Sequence, residues 1–314
     1  MKIMVGKTSG FCYGVKNAIE QTRKQLAEYQ TEDKKRQEII FCLGELVHNK
    51  QVIENLEKQG MQVREKLEDI PEPQGKKVII RAHGVPKKIY EKAKELGISL
   101  IDLSCSNVLA IHKIAQNYQE QDFYLFYVGE KIHPESIGTI SFCGENVSII
   151  ENLEQVEEAM QKFMQSGKKH LLLFAQTTFS LEKFEKIVEN VQNRLKQKES
   201  KENKNLQIEV VVKNTICNAT KLRQEETEKI AKQVDAMIII GGKNSANTKK
   251  LFDIACIHCK KAYGIESKQD LSKQDMEQLK ACKKVGIMAG ASTPQESVKE
   301  VVALLEKKIN FNDK

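Results

Sequence analysis

The chain contains no tryptophan, and phenylalanine and tyrosine together make up 6% of it. Aromatic platforms on which single-stranded nucleic acid stacks are therefore not expected. No apolar run approaches the ~20 residues that a membrane-spanning helix needs, and the N-terminus lacks the pattern of an export signal. Neither GxxxxGK followed by Ser or Thr nor GxGxxG occurs, so ATP loops and ordinary dinucleotide binding are not supported. Charge of one sign is also lacking: 50 basic and 43 acidic residues are thoroughly mixed, for a net charge of +7. Such mixing describes a solvated surface, and a modest positive field suits a phosphorylated substrate or an acidic electron carrier. What is present is cysteine, eight residues of it. Without export features these point to a reducing cytoplasm, where metal or redox roles outrank disulfides.

A length of 314 residues allows two or three small domains. Apolar runs alternate with helical patterns along the chain. Strands are expected at Lys2–Gly6, Ile39–Leu43, Lys77–Arg81, Leu100–Leu103, Phe123–Val128, Ser148–Ile150, His170–Ala175, Ile208–Val212, Ala236–Ile240, Ala262–Ile265 and Val285–Met288. Amphipathic helices are expected at Val15–Glu28, Pro86–Leu96, Leu153–Gln165, Leu181–Lys196, Thr220–Gln233 and Gln295–Lys308. This alternation predicts an α/β protein built on parallel sheets. Gly60, Gly97 and Gly167 stand where helix C-caps would lie. Pro71–Gly75 is a turn, and the charged, apolar-free run Lys198–Asn205 predicts a linker.

Cys12, Cys105 and Cys217 share one context, each lying where an apolar run stops and a helix begins, roughly one small domain apart. Taking the strands that precede the second and third as starting points gives three segments, 1–99, 100–206 and 207–314, each a small α/β module. Three thiolates from equivalent points predict one shared centre. An iron–sulfur cluster usually takes four cysteines, so three would leave one iron open.

Polar residues gather at the C-terminal ends of the expected strands: His48, His83, His133-Pro134-Glu135, Gln176-Thr177-Thr178, Ser245-Ala246-Asn247-Thr248 and Ser292-Thr293. In parallel α/β sheets ligands bind there, beside helix N-termini whose free N–H groups suit phosphate oxygens. Plainer readings stand beside these. A cysteine before a helix can be a small buried apolar residue, and Ser245, Asn247, Thr177, Thr178 and Ser292 can be N-caps. His48 and His83 can be surface histidines, and His133-Pro134-Glu135 a turn entering a helix. Cys256 and Cys259 have C-x-x-C spacing and, with His258 and Cys282, invite a zinc site. They fall within a helical pattern and lack a second pair, so buried packing is the preferred reading. Cys42 and Cys143 read as structural.

Several ordered motifs carry a family resemblance: GFCYGV at Gly10–Val15, RAHGV at Arg81–Val85, IDLSC at Ile101–Cys105 and HPE at His133–Glu135. QTT at Gln176–Thr178, TICNAT at Thr215–Thr220, GKNSANT at Gly242–Thr248 and AGASTP at Ala289–Pro294 continue it. Over essentially its whole length the chain resembles the 4-hydroxy-3-methylbut-2-enyl diphosphate reductase (IspH/LytB) family. The resemblance implies three small α/β domains in a trefoil around a central 4Fe–4S cluster, one per chain, with one iron not ligated by cysteine. Cys12, Cys105 and Cys217 match the iron ligands. His48, His83, His133, Ser245, Ala246, Asn247 and Ser292 match the substrate's diphosphate cage, Glu135 the proton donor, and Thr177 a residue beside substrate and cluster. The implied reaction is reductive dehydroxylation of an allylic diphosphate to isopentenyl and dimethylallyl diphosphate, the last step of the non-mevalonate isoprenoid route. With no flavin or nicotinamide motif visible, a one-electron donor protein, ferredoxin or flavodoxin, is expected, and neither nucleic acid nor membrane is an expected partner. Ser104 and Ser106 flank Cys105 where many relatives carry Thr and Pro. Ala246 replaces a common serine, leaving its backbone N–H for phosphate. His112, on the helix after Cys105, also matches a family histidine and reads as a group packed near the cluster. Two other readings are an iron–sulfur hydro-lyase using its open iron as a Lewis acid alone, and a basic zinc or RNA-binding module.

Overall fold

The computed structural model describes residues 1–31, 39–202 and 207–310. Twelve strands and eleven α-helices alternate along the described residues. They build three four-stranded sheets in which every neighbouring pair is parallel. This is the α/β class that the alternation predicts.

The first sheet comprises β2 (Ile40–Leu43), β3 (Met61–Arg64), β4 (Lys77–Ile80) and β5 (Ser99–Asp102), in the order β3-β2-β4-β5. The second comprises β6 (Tyr124–Val128), β7 (Val147–Ile150), β8 (His170–Ala175) and β9 (Glu209–Lys213), in the order β7-β6-β8-β9. The third takes β10 (Ala236–Ile240), β11 (Ala262–Ile265) and β12 (Lys284–Ala289), with β1 (Lys2–Val5) beside β12. Read from the same side, all three orders are one order. A glycine follows the first strand of each sheet, and its N–H donates to the last residue of the second. The pairs are Gly44 to Arg64 at 2.8 Å, Gly129 to Ile150 at 3.0 Å and Gly241 to Ile265 at 2.8 Å.

The inner strands are continuous apolar runs, such as Tyr-Leu-Phe-Tyr-Val in β6 and Ala-Met-Ile-Ile-Ile in β10, and every residue of both is buried. That is what helices on both faces of a parallel sheet require. The outer strands β1, β5 and β9 carry exposed residues at both ends. In the second sheet, Phe126 packs with Phe163 of α6 (Val156–Gln165) and Phe184 of α7 (Leu181–Glu202). On its other face Tyr127 and Phe174 pack with Ile111 and Ala115 of α4 (Ser106–Glu120). The third sheet is covered by α8 (Asn218–Ala231) and α9 (Ala246–His258) on one face, and by α10 (Lys273–Lys280) and α11 (Gln295–Asn310) on the other.

The chain forms two compact units. One contains Met1–Thr31, Val47–Gly60 and the chain from Asn218 onward, hence the third sheet; the other holds the rest of the described chain, with the first and second sheets. Sheet membership departs from the segments 1–99, 100–206 and 207–314. β1 pairs with β12, and β5 and β9 complete the sheets of the preceding segments. Each cysteine-bearing strand pairs only with the third strand of its sheet, β5 with β4, β9 with β8 and β1 with β12, so it closes a sheet instead of opening one. The expected linker at Lys198–Asn205 also differs: residues 198–202 continue α7, while 203–205 lie outside the described residues. Gly60, Gly97 and Gly167 have φ of +104°, +67° and +71°, as C-caps do. No helix of the described residues is long and apolar enough to cross a membrane.

Candidate functional site

The three cysteines occupy one repeated position. Cys12 directly precedes α1 (Tyr13–Thr31), Cys105 precedes α4, and Cys217 precedes α8. Each backbone N–H donates to the carbonyl two residues beyond the third strand of its sheet. Cys12 donates to Ala291 at 3.0 Å, Cys105 to Ala82 at 2.9 Å and Cys217 to Thr177 at 3.0 Å. All three side chains are half-buried, whereas Cys42, Cys143, Cys259 and Cys282 are buried.

In the unit of the first two sheets, the loops after β4, β6 and β8 bring His83, His133, Glu135 and Thr177 into one network. His133 is the N-cap of α5 (Pro134–Ile140), and its Nδ1 accepts from the Glu135 N–H at 3.2 Å. In the neutral ring this leaves the proton on Nε2. The His83 ring lies edge-on to it, with centroids 5.7 Å apart. Glu135 is 2% exposed. Its Oε1 accepts from the Thr177 N–H and its Oε2 from the Thr177 hydroxyl, both at 2.6 Å. Burial raises its pKa from 4.5 to about 7, outweighing these two bonds, which favour the charged form. Thr177 thus holds Glu135 through its N–H and hydroxyl and Cys217 through its carbonyl. Cys105 is held by the residue before His83.

In the other unit, His48, Asn247 and Ser292 meet beside Cys12. The Ser292 hydroxyl donates to the His48 carbonyl at 3.1 Å. Asn247 Oδ1 accepts from the Ala291 N–H at 3.1 Å, and the Ala291 carbonyl in turn holds Cys12. Asn247 is 3% exposed, and its Nδ2 donor has no hydrogen-bond partner. A buried unpaired donor carries a cost that an anionic ligand would remove. Ser245 is the N-cap of α9, accepting from the Thr248 N–H at 3.3 Å, and Ala246 is the first residue of that helix, buried. For Ser245 and His133, then, the plain capping reading holds alongside any other role.

A profile described as LytB protein matches residues 3–306. The chain belongs to the LytB family. It is 37% identical over 306 residues to the 4-hydroxy-3-methylbut-2-enyl diphosphate reductase of Clostridioides difficile, covering 98% of this chain and 99% of the relative. The enzyme of the same name from Aquifex aeolicus is 35% identical over 308 residues, covering 97% and 96%. Among solved structures, the E-1-hydroxy-2-methyl-but-2-enyl-4-diphosphate reductase of Plasmodium falciparum superposes with a TM-score of 0.82 at 29% identity, covering 97% of this chain and 87% of that one. A second, a reductase described as the terminal enzyme of the non-mevalonate pathway, gives 0.64 at 34% identity, covering 98% and 100%.

As a LytB protein the chain is an oxidoreductase of the non-mevalonate isoprenoid route, in a family that binds an iron–sulfur cluster. Its donor set fits such a group: three partly exposed cysteines stand at equivalent helix starts. Among the described residues no three His, Cys, Asp or Glu side chains are placed to hold one metal ion. The thiolates of an iron–sulfur cube differ from such a set in that each binds a separate iron. The remaining cysteines pack as side chains. Cys143 Sγ donates to the Thr139 carbonyl at 3.5 Å and Cys282 Sγ to that of Gln278 at 3.4 Å. Cys256 departs from the buried reading: it lies exposed on the outer face of α9, next to exposed Ile257. His112 is buried, stacked on Phe142 with centroids 4.4 Å apart, and burial lowers its pKa to about 4.

Sequence reasoning missed the side chains that hold these loops. Thr215 Oγ1 accepts from the Ala175 N–H at 2.8 Å and also bonds the Ala175 carbonyl, fixing the approach to Cys217. Gln176 Oε1 accepts from the Glu130 N–H at 2.9 Å, joining the Thr177 loop to the one that carries Glu135. Both lie within quoted motifs, and that adjacency was the available signal.

Proposed function

We propose that this LytB protein reduces 4-hydroxy-3-methylbut-2-enyl diphosphate to isopentenyl and dimethylallyl diphosphate, with Cys12, Cys105 and Cys217 as the ligands of a 4Fe–4S cluster. The observation that carries this reading is the threefold recurrence of one cysteine position, each amide tied to the carbonyl two residues past a third strand. When bound, such a cluster supplies single electrons and one Lewis-acidic iron without a protein ligand. His48, Ser245, Asn247, Ser292 and the Ala246 N–H of one unit, and His83 and His133 of the other, are the proposed diphosphate donors. Their task is to fix a group remote from the breaking bond, so that its binding energy orients the alcohol.

Loss of the hydroxyl as water requires an acid. Glu135 is suited to this because burial holds its carboxyl protonated up to about neutral pH. When protonated, its Oε2 donates to the Thr177 hydroxyl that bonds it at 2.6 Å, which gives that proton a path out of the buried pair. The electrons come from an external one-electron donor, a ferredoxin or flavodoxin, in the cytoplasm, with no nucleic-acid partner.

The deciding experiment is an anaerobic assay on the allylic diphosphate with and without a chemical reductant. Turnover is expected with the reductant alone; turnover without it would favour the hydro-lyase reading. Cys105→Ser should abolish bound iron while Cys256→Ser keeps it. Equal iron loss in both would show the ligand assignment to be wrong.

A further inference from the structure

Of the three connections that end in these cysteines, the one to Cys12 is longest. Six residues separate Val5 from Cys12, against two between Asp102 and Cys105 and three between Lys213 and Cys217. The short connections are held by their own side chains. Asp102 Oδ1 accepts from the Ser104 N–H at 2.9 Å, and Asn214 Oδ1 from the Ile216 N–H at 3.1 Å. The long connection is held from outside itself, by α8. The Glu226 carboxylate accepts from the Lys7 and Thr8 N–H groups, each at 2.8 Å, and from the Thr8 hydroxyl at 2.6 Å. One turn earlier, Arg223, 5% exposed, donates to the Gly10 carbonyl at 2.8 Å and to the Ala219 carbonyl of its own helix at 2.9 Å. Gly10 has φ +106°, a backbone state that residues with a side chain rarely adopt.

We propose that Glu226 and Arg223 are positioning residues that set Cys12 in place to ligate the cluster. The inference rests on the reading of Cys12 as a ligand. This six-residue approach has one turn bond of its own, from the Ser9 N–H to the Gly6 carbonyl at 3.2 Å. Without the α8 contacts the rest would sample many backbone states, whereas a ligand must be held to within about 0.5 Å to bind well. The carboxylate and the guanidinium remove that freedom before any metal arrives.

The test uses the full-length protein as wild type, Glu226→Ala, the milder Glu226→Gln, Arg223→Lys, Cys12→Ser and the control Glu228→Gln, a residue of the same helix whose carboxylate pairs with exposed Lys232 just past the helix end. In the apoprotein, amide exchange at Lys7 and Thr8 and iodoacetamide alkylation of Cys12 should rise about tenfold or more in Glu226→Ala, since charge-assisted bonds are lost. Glu226→Gln and Arg223→Lys should give smaller increases, and Glu228→Gln none. After reconstitution, release of iron to a chelator should quicken in the same order, with an altered electron paramagnetic resonance signal from the reduced cluster. Unchanged exchange, or a loosened loop with wild-type iron retention and spectrum, overturns the assignment. So does equal loosening of the β10 and β12 amides, which would mean general destabilisation. If Cys12→Ser itself retains a wild-type cluster, the ligand reading fails. If Cys12→Ser loses the cluster and Glu226→Ala keeps it, only the role of α8 fails.

Discussion

Glu135 titrates near pH 7 because complete burial outweighs two hydrogen bonds that favour its charge. The folded protein therefore holds this proton between pH 4.5 and 7, while the unfolded chain gives it up. Native stability is fully expressed below about 4.5 and falls as pH rises through 7, by on the order of 3 kcal/mol for such a shift. Glu135→Gln should remove that slope, so that its denaturation midpoint gains on the wild type between pH 5 and 8. Parallel curves would contradict the shift. Turnover of the wild type should decline above pH 7, and Glu135→Gln should lose roughly 10²–10⁴-fold in kcat, as for a missing general acid. Asn247 offers a sharper test of anion binding. Asn247→Asp keeps the oxygen that holds the Ala291 N–H but replaces the unpaired Nδ2 donor with negative charge. KM for the diphosphate should rise at least about tenfold, the loss of one hydrogen bond to a charged group. An unchanged KM would remove Asn247 from the cage. The sequence made Glu135 and Asn247 visible as motif residues. The proton on Glu135 and the spare donor on Asn247 come from burial, which no local pattern displays.

Elements were legible in proportion to their apolar content. β6 and β10 are continuous apolar runs and fall within a residue of where they were expected. β3 was missed because Met61-Gln62-Val63-Arg64 has two apolar residues in four, and its pairing with β2 comes from the tertiary structure. α10 was missed although Ser272 and Asp275 form a capping box, a signal readable in the sequence. α2 (Lys50–Glu57) begins at Asn49, whose side chain caps it, right after His48. The bonds that place the cysteines were invisible, since they run from backbone to backbone between loops. One glycine shows how close these loops approach: a Cβ at Gly242 would lie 2.5 Å from the His48 carbonyl oxygen. Gly242→Ala must push the His48 segment off the loop after β10, at a cost of about 1–3 kcal/mol. Binding of the diphosphate should weaken together with that stability loss, by calorimetry and thermal melting. A variant with wild-type affinity and stability would show that the two loops give way freely.

Across the whole molecule, one sheet order occurs three times, but the third copy takes its last strand from the other end of the sequence. Lys2 pairs with Lys284, whereas the last strands of the other two sheets pair close by in the chain, Ser99 with Lys77 and Glu209 with His170. Nothing in Lys-Ile-Met-Val names its partner, so the sequence showed β1 as a strand and could not show which sheet it closes. Closing a loop roughly seven to thirteen times longer costs about 2 kcal/mol more, each doubling adding about 0.6 kcal/mol. That is enough to delay the contact by more than about tenfold if it must form on the way to the native state. The glycine amides report on this directly. Gly44, Gly129 and Gly241 donate within their own sheets across short separations, while Gly6 donates to Ile287 at 2.9 Å across the β1–β12 pair. In pulse-labelled refolding of the apoprotein, Gly44, Gly129 and Gly241 should gain protection together, and Gly6 in a later phase. Protection of Gly6 in the first phase would mean that β1 docks before the third sheet is built, and the loop-closure argument would fail. A late Gly6 has a consequence for chemistry, because β1 leads into the segment that Glu226 and Arg223 grip. Cys12 would then be the last of the three cysteines to reach its place, and cluster assembly would have to wait for it.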